Sequence, residues 1–205
     1  MFDLDPHEEF DFAVLKAAAQ EVRAFLADLG FTSFLKATGG KGLHLVAPIT
    51  PKLGWDEVKA FAKAVADALV AARPDRYTAN PLKRTRVSKI FVDYLRNQRG
   101  GSAIVNYSTR AKKGAPVTAP LAWDELKGLT SGAPYTVATM PARLKRLKRD
   151  PWEGFFSTRQ SITAKARRAL GFRVGPSGAA PPMRTTATSE PRFRPATMSP
   201  AARFA

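Results

Sequence analysis

The sequence predicts an α+β fold in which an antiparallel sheet carries its helices on one face. Two stretches, residues 8–29 and 55–72, place apolar residues at three- and four-residue spacing, which is typical of amphipathic helices. Short stretches between and after them alternate or concentrate apolar residues, as strands do. The resulting order of strand, helix, strand, strand, helix and strand is ferredoxin-like.

The elements follow in order along the first half of the chain. Residues 1–5 alternate apolar and acidic residues, which predicts a short strand. Pro6 suits the first turn of a helix, with Asp5 before it as a possible N-cap, and Gly30 ends that helix. Two further strands, at 31–38 and 43–49, are joined by a turn over residues 39–42.

The second half begins with the helix at 55–72, which lies between two prolines. Residues 90–95 predict an apolar strand that pairs with residues 102–107 across a turn containing Gly100 and Gly101. Three further helical segments are predicted, a short one at 123–126 and two basic ones at 141–149 and 157–170.

The predicted domain organisation has three parts. Residues 1–156 form the folded domain, and residues 157–174 form a basic helix. Residues 175–205 are rich in Pro, Ala, Ser, Thr and Arg without periodicity, which predicts a disordered basic tail.

The composition indicates a polyanion-binding protein. Thirty-three Lys and Arg against 17 Asp and Glu give a net charge of +16, for which nucleic acid is the leading partner and simple solubility the alternative. The absence of cysteine excludes disulfides and zinc knuckles. No apolar run reaches the roughly 20 residues of a membrane span, so we expect a cytoplasmic protein without a membrane partner.

Three aspartates are candidate metal ligands. Asp3 and Asp5 lie two residues apart, so on a strand both carboxylates project from one face, where they could bind the two cations of phosphoryl transfer. The alternative is that Asp5 caps a helix while Asp3 is solvated. Asp93 interrupts an apolar strand, where an acid is costly unless it binds a metal, is paired, or faces outward.

The segment TGGKGLH at residues 38–44 is a candidate anion-binding turn. Its glycines allow backbone N–H groups to approach an anion, and Lys41 adds a positive charge. It is not a P-loop, because it joins two strands and lacks the Gly-Lys-Ser/Thr ending. A plain glycine-rich hairpin and a structural role for His44 are the alternatives.

A strongly basic stretch from residue 83 to residue 113 contains Asp93 as its single acid. Such a field keeps a carboxylate ionised and suits a triphosphate or a nucleic-acid backbone, whereas a solvated basic loop is the alternative.

These residues together resemble the polymerase domain of bacterial ATP-dependent DNA ligase D, within the archaeo-eukaryotic primase superfamily. The resemblance implies a palm-like (RRM-like) sheet and spans about residues 2–156. Its motifs occur in the family's order: FDLDP at 2–6, KATGGKGLH at 36–44, IFVDYLRN at 90–97, YSTRA at 107–111, GAPV at 114–117 and PLAWDEL at 120–126.

The resemblance implies roles for individual residues. Asp3, Asp5 and Asp93 correspond to the catalytic carboxylates that bind two ions of Mn²⁺ or Mg²⁺. The nucleotide-binding residues it implies are Thr38, Lys41, His44 and Arg110, with Arg96 and Arg86 as weaker assignments to the same phosphate pocket. Thr38 stands where the family usually has Ser.

The resemblance also implies an activity and partners. We expect a nucleotidyltransferase that extends a primer with ribo- or deoxyribonucleoside triphosphates, filling DNA ends in non-homologous end joining in the bacterial nucleoid, with Ku and a DNA ligase. Family members carry a sizeable segment before the Asp-x-Asp strand, so we expect a domain that is incomplete at its N-terminus. The alternative is a truncated, non-catalytic nucleic-acid-binding remnant.

Overall fold

The computed structural model describes residues 1–7 and 10–172, so the tail predicted at 175–205 lies outside the described residues. The strands are β1 (Phe2–Pro6), β2 (Phe34–Ala37), β3 (Leu43–Val46), β4 (Tyr77–Thr78), β5 (Ile90–Asp93) and β6 (Ala119–Leu121). The helices are α1 (Phe12–Asp28), α2 (Trp55–Ala72), α3 (Met140–Arg146) and α4 (Ala164–Ala169), with 3-10 turns at Lys83–Thr85 and Glu125–Gly128. Within the described residues, no helix is both long and apolar enough to cross a bilayer.

The six strands form one sheet in the order β4-β5-β1-β3-β2-β6. Every pairing is antiparallel except that of β4 with β5. The predicted α+β class is confirmed, and the sheet is mixed because of this single parallel pair.

The two faces of the sheet differ in chemistry because side chains alternate along each strand. One face packs against α1 and α2 and forms the hydrophobic core, which includes Leu4, Leu43 and Val92. The opposite face carries the intervening residues of the same strands, among them Asp3 and His44. The polar side chains of the strands are therefore collected on one surface.

The start of α1 differs from the prediction. Pro6 is the last residue of β1, opposite Ile90, and the helix is capped by Asp11, whose carboxylate accepts a hydrogen bond of 2.8 Å from the Ala13 amide. The N-cap assignment of Asp5 is therefore wrong. A proline is tolerated at the end of a strand, where it removes no essential ladder bond.

The predicted pairing of residues 90–95 with 102–107 is also wrong. Strand β5 has β1 on one side and β4 on the other, so no edge of β5 is left for a hairpin partner. Residues 102–105 form an irregular segment instead. The predicted basic helices are shorter than expected, since α3 ends where Leu147 becomes extended and α4 begins only after Thr163.

A buried arginine joins the C-terminal region to the sheet. The Nη2 atom of Arg143 in α3 donates to the Pro120 carbonyl of β6 at 2.7 Å and to the Glu125 carboxylate at 3.0 and 3.1 Å. Its guanidinium also lies 4.7 Å from the Tyr135 ring centre. Because only 4% of Arg143 is exposed, this pair holds α3 against the edge of the sheet.

We predict that Arg143→Ala lowers the free energy of unfolding by about 2 to 3 kcal/mol, because it leaves the Glu125 carboxylate without its partner. Urea unfolding followed by circular dichroism measures the change. Arg146→Ala in the same helix is the matched control, since Arg146 is exposed, and it should shift stability by less than about 0.5 kcal/mol. Equal effects of the two substitutions would contradict the role given to Arg143.

Candidate active site

A cavity of about 900 Å³ lies on the face of the sheet opposite the helices. The turn between β2 and β3, strand β1 and the segment around residues 102–104 enclose it. Eight of the residues predicted from the sequence line it: Asp3, Asp5, Thr38, Lys41, His44, Arg86, Arg96 and Arg110. Asp93 is not among the lining residues.

The three aspartates lie together on the polar face. Asp3 and Asp5 alternate with buried residues of β1, and Asp93 is the direct Cα partner of Asp3 on β5. Residues facing each other in this way have Cβ atoms about 5 Å apart. Burial raises the pKa of the Asp5 carboxyl, the charge of Asp3 raises it further, and Arg86 opposes both effects. The carboxylates are therefore close enough to repel one another.

Each carboxylate contacts a basic side chain of the protein. Asp3 Oδ2 lies 3.2 Å from His44 Nε2, and Asp5 Oδ2 accepts a 2.7 Å bond from Arg86 Nη1. For Asp93, Oδ2 lies 3.8 Å from the Arg96 Nε atom while Oδ1 accepts from the Leu95 amide.

Among residues 1–7 and 10–172, no three acidic or histidine side chains converge into a formed metal-ligand set. The chemistry of the donors nevertheless fits a hard divalent ion, because carboxylate oxygens are the ligands that Mg²⁺ and Mn²⁺ prefer. Each carboxylate has further lone pairs besides those that accept from its basic partner, so a cation and that partner can share one side chain.

The glycine-rich turn is held in place by its own backbone and by Thr38. The Thr38 hydroxyl donates to the Gly42 carbonyl at 2.9 Å and accepts from the Gly40 amide at 3.2 Å. Gly39 has a φ of +67°, which favours glycine. At Gly42 a Cβ atom would lie 2.5 Å from the Leu4 carbonyl oxygen, so only glycine lets the turn lie against β1.

His44 lies in the row of polar side chains that crosses the sheet. It is the Cα partner of Asp3 on one side and of Lys36 on the other, and only 4% of it is exposed. Its Nε2 faces Asp3, whereas its buried Nδ1 has no hydrogen-bond partner in the described part of the chain. A histidine so placed can hold the Asp3 carboxylate in orientation.

The predicted cations lie around the wall of the cavity. Arg110 Nη1 donates to the Thr38 carbonyl at 3.1 Å, and Arg96 Nη1 donates to the Ser102 carbonyl at 3.1 Å. Lys41 is exposed at the tip of the turn. These side chains surround an electropositive space that is large enough for a triphosphate.

Sequence reasoning assigned no role to Lys36. This lysine is 4% exposed, and its Nζ donates to the Ile104 carbonyl at 2.6 Å. Burial lowers its pKa, and the nearby Asp3 charge opposes that shift. Lys36 thereby holds the segment at 102–104 against the sheet. A lysine between Leu35 and Ala37 in an apolar strand is the signal that could have identified it.

Arg86, a weak assignment from the sequence, has a central position. Besides its bond to Asp5, its Nη2 donates to the Pro81 carbonyl at 2.6 Å, and its guanidinium lies 4.0 Å from the centre of the Phe91 ring. The planar stacking on Phe91 fixes the arginine beside the carboxylates.

Comparisons with known proteins agree on one family. The family model described as LigD, primase-polymerase domain, matches residues 1–152. The multifunctional non-homologous end joining protein LigD of Pseudomonas aeruginosa is 43% identical over 172 residues, which cover 83% of this chain and 20% of that protein. The bifunctional non-homologous end joining protein LigD of Bacillus subtilis is 33% identical over 147 residues, which cover 71% of this chain and 24% of that protein.

Among solved structures, the polymerase domain from Mycobacterium tuberculosis ligase D in complex with DNA is similar, with a TM-score of 0.68 and 34% identity. The similarity covers 74% of this chain and 52% of that one. The chain thus spans about a fifth to a quarter of the length of these two relatives and about half of the solved domain.

We predict that Gly42→Ala lowers the free energy of unfolding by about 1 to 3 kcal/mol, because the added Cβ forces β1 away from the turn. Urea unfolding measures it. Gly128→Ala is the matched control, since a Cβ there meets no atom within 4 Å, and it should leave stability unchanged or slightly increased. A Gly42 variant as stable as the control variant would disprove the close approach.

Proposed function

The chain belongs to the LigD primase-polymerase domain family, and from this premise we propose that it is a metal-dependent nucleotidyltransferase that extends DNA ends in non-homologous end joining. The observation that carries the proposal is the placement of Asp3 directly opposite Asp93, with Asp5 on the same face, beside a cavity walled by cations. Carboxylates that can hold divalent cations, next to side chains that can hold a triphosphate, are what cation-assisted transfer of a nucleotide to a hydroxyl requires.

In the proposed reaction the 3′-hydroxyl oxygen of a DNA primer attacks the α-phosphorus of a nucleoside triphosphate. The bond from that phosphorus to the bridging oxygen breaks, and pyrophosphate leaves. Asp3, Asp5 and Asp93 would hold two Mn²⁺ or Mg²⁺ ions, which supply charge that acidifies the hydroxyl and neutralises the phosphates.

The residues of the wall bind and orient the triphosphate in this proposal. Arg110 lies next to the glycine-rich turn and Lys41 is at its tip, so both can reach the β- and γ-phosphates. Arg86 and His44 hold the carboxylates before a divalent ion binds. With an ion held by the carboxylates, the guanidinium of Arg86 would stay in the cavity wall, where it would bind the phosphates.

We propose DNA ends and ribo- or deoxyribonucleoside triphosphates as substrates, and Ku and a DNA ligase as partners. The ligase assignment is supported by the two LigD relatives, one named multifunctional and one bifunctional, which are several times longer than this chain. The solved relative was captured with DNA, and the net charge of +16 suits the same ligand here.

We predict that Asp93→Ala abolishes both Mn²⁺-dependent triphosphate binding and primer extension. Calorimetry with Mn²⁺ and a non-hydrolysable nucleoside triphosphate measures the first, and gel analysis of a labelled primer measures the second. Asp124→Asn removes an exposed carboxylate far from the cavity and should retain both. Wild-type protein that binds no triphosphate in the presence of Mn²⁺ would refute the proposed function.

We also predict that DNA affinity falls steeply with salt, because lysine and arginine contacts to phosphates release counterions. Fluorescence anisotropy at several salt concentrations measures the slope. In a nucleotidyltransferase, Mn²⁺ with triphosphate should further strengthen binding to a primer end, and Asp93→Ala should remove that gain. DNA binding that changes neither with Mn²⁺ and triphosphate nor with Asp93→Ala would instead identify a non-catalytic nucleic-acid-binding protein.

A further inference from the structure

Four aromatic rings form a cluster outside the hydrophobic core. Phe34 of β2 contacts Trp152 and Phe155, with ring centres 5.9 and 5.1 Å apart. Trp152 is stacked on Phe155 at 4.8 Å, and Phe156 meets Phe155 edge to face at 5.2 Å. We call Phe34, Trp152, Phe155 and Phe156 the aromatic cluster. Its outermost ring, Phe156, is 89% exposed.

The aromatic cluster is fixed to the sheet. Trp152 Nε1 donates to the Leu35 carbonyl at 2.6 Å, which attaches the segment to β2. Arg159 Nη1 donates to the Phe156 carbonyl at 2.6 Å, and the Thr158 hydroxyl donates to the Gly154 carbonyl at 2.8 Å. The exposed ring is thus presented by an ordered turn, which lowers the entropy cost of binding a flat partner.

The aromatic cluster lies on the same face of the sheet as the candidate active site. Phe34 and Lys36 are two residues apart on β2, so both point away from the helices. Lys36 is opposite His44, and His44 is opposite Asp3. Two strand spacings separate β2 from β1, a distance of about 10 Å. A DNA strand whose end lies at Asp3 can therefore extend across the sheet to Phe34.

Exposed cations flank the aromatic cluster in the sequence on both sides. We call them the basic patch: Lys145, Arg146, Lys148, Arg149, Arg159, Lys165 and Arg168. In the part of the chain that the structure describes, none of them forms an ion pair with a carboxylate, and the neighbouring acids Asp150 and Glu153 are fewer. None of these cations lines the cavity of the candidate active site.

We propose that the aromatic cluster and the basic patch bind the single-stranded part of a DNA overhang, with an unpaired base stacked on Phe156 and phosphates on the basic patch. This inference rests on the proposed function, because it concerns the same DNA end. Aromatic side chains among cations are the usual means of binding single strands without sequence preference.

The test uses fluorescence anisotropy with three labelled probes of equal length: a single-stranded oligonucleotide, the same backbone without bases, and a blunt duplex. We expect Phe156→Ala to weaken binding to the base-containing single strand roughly tenfold, since stacking on one aromatic contributes that order of affinity. Binding to the abasic strand and to the duplex should change less than about twofold. Phe156→Tyr keeps a stacking ring and should restore the affinity.

Two control variants separate stacking from charge and from general surface effects. Lys148→Ala should weaken binding to base-containing and abasic strands equally and reduce the salt dependence of both. Val137→Ala removes an apolar side chain that is 51% exposed, and it should change neither the affinity for the two strands nor its salt dependence.

Three outcomes would overturn the inference. They are an unchanged affinity of Phe156→Ala for the base-containing strand, an equal loss on the abasic strand, and a concentration-dependent dimer that Phe156→Ala dissociates without changing DNA affinity. Sedimentation velocity detects the third. Triphosphate binding measured by calorimetry on Phe156→Ala keeps the two proposals distinct. If Phe156→Ala loses affinity for the single strand but still binds triphosphate, the result supports the role of the aromatic cluster. If no variant and no wild-type protein binds triphosphate, the result contradicts the proposed function of the active site.

Discussion

The antiparallel register of β1 against both β3 and β5 is the constraint on which the rest of this molecule depends. It places Asp3 opposite His44 on one side and opposite Asp93 on the other. The same register turns Leu4 into the core against α1 and α2. A slip of one residue would exchange the two sets, burying carboxylates under the helices and exposing leucines, at a cost of many kcal/mol. The same register of β1 therefore determines both which side chains stabilise the core and where the acidic side chains lie.

Electrostatics on the polar face is balanced by the protein itself. The carboxylates would repel one another without partners, and His44, Arg86 and Arg96 compensate them. The Arg86 guanidinium also lies over the Phe91 ring, which restricts the conformations of this side chain. The contacts leave other lone pairs of the same carboxylates free to accept further bonds. Arg86 and Arg96 also line the cavity, so the partners of the carboxylates form part of its wall.

Local features of this site could be predicted from the sequence, whereas long-range pairings could not. Alternation in residues 1–5 is enough to put Asp3 and Asp5 on one face, and the three glycines around Lys41 indicate the turn. Asp93 lies next to Asp3 only because β5 pairs with β1. The apolar pattern alone favours residues 102–107 as the partner of residues 90–95, which is wrong. Asp11 was missed as a cap because Pro6 offered an attractive alternative start. A lysine within an apolar strand marks Lys36 as unusual, but no local pattern gives the partners of Lys36 and Arg86, which are Ile104 and Phe91.

The central place of β1 has a consequence for biosynthesis. Among the described strands β1 is synthesised before the others, and its neighbours β3 and β5 come about 40 and 90 residues later. At ribosomal rates of roughly 5 to 20 residues per second, β1 waits several seconds before β5 has emerged. During that time Phe2 and Leu4 lack the sheet that buries them. Slow pairing of β1 with β5 would leave these apolar side chains exposed for longer, which favours aggregation of the nascent chain.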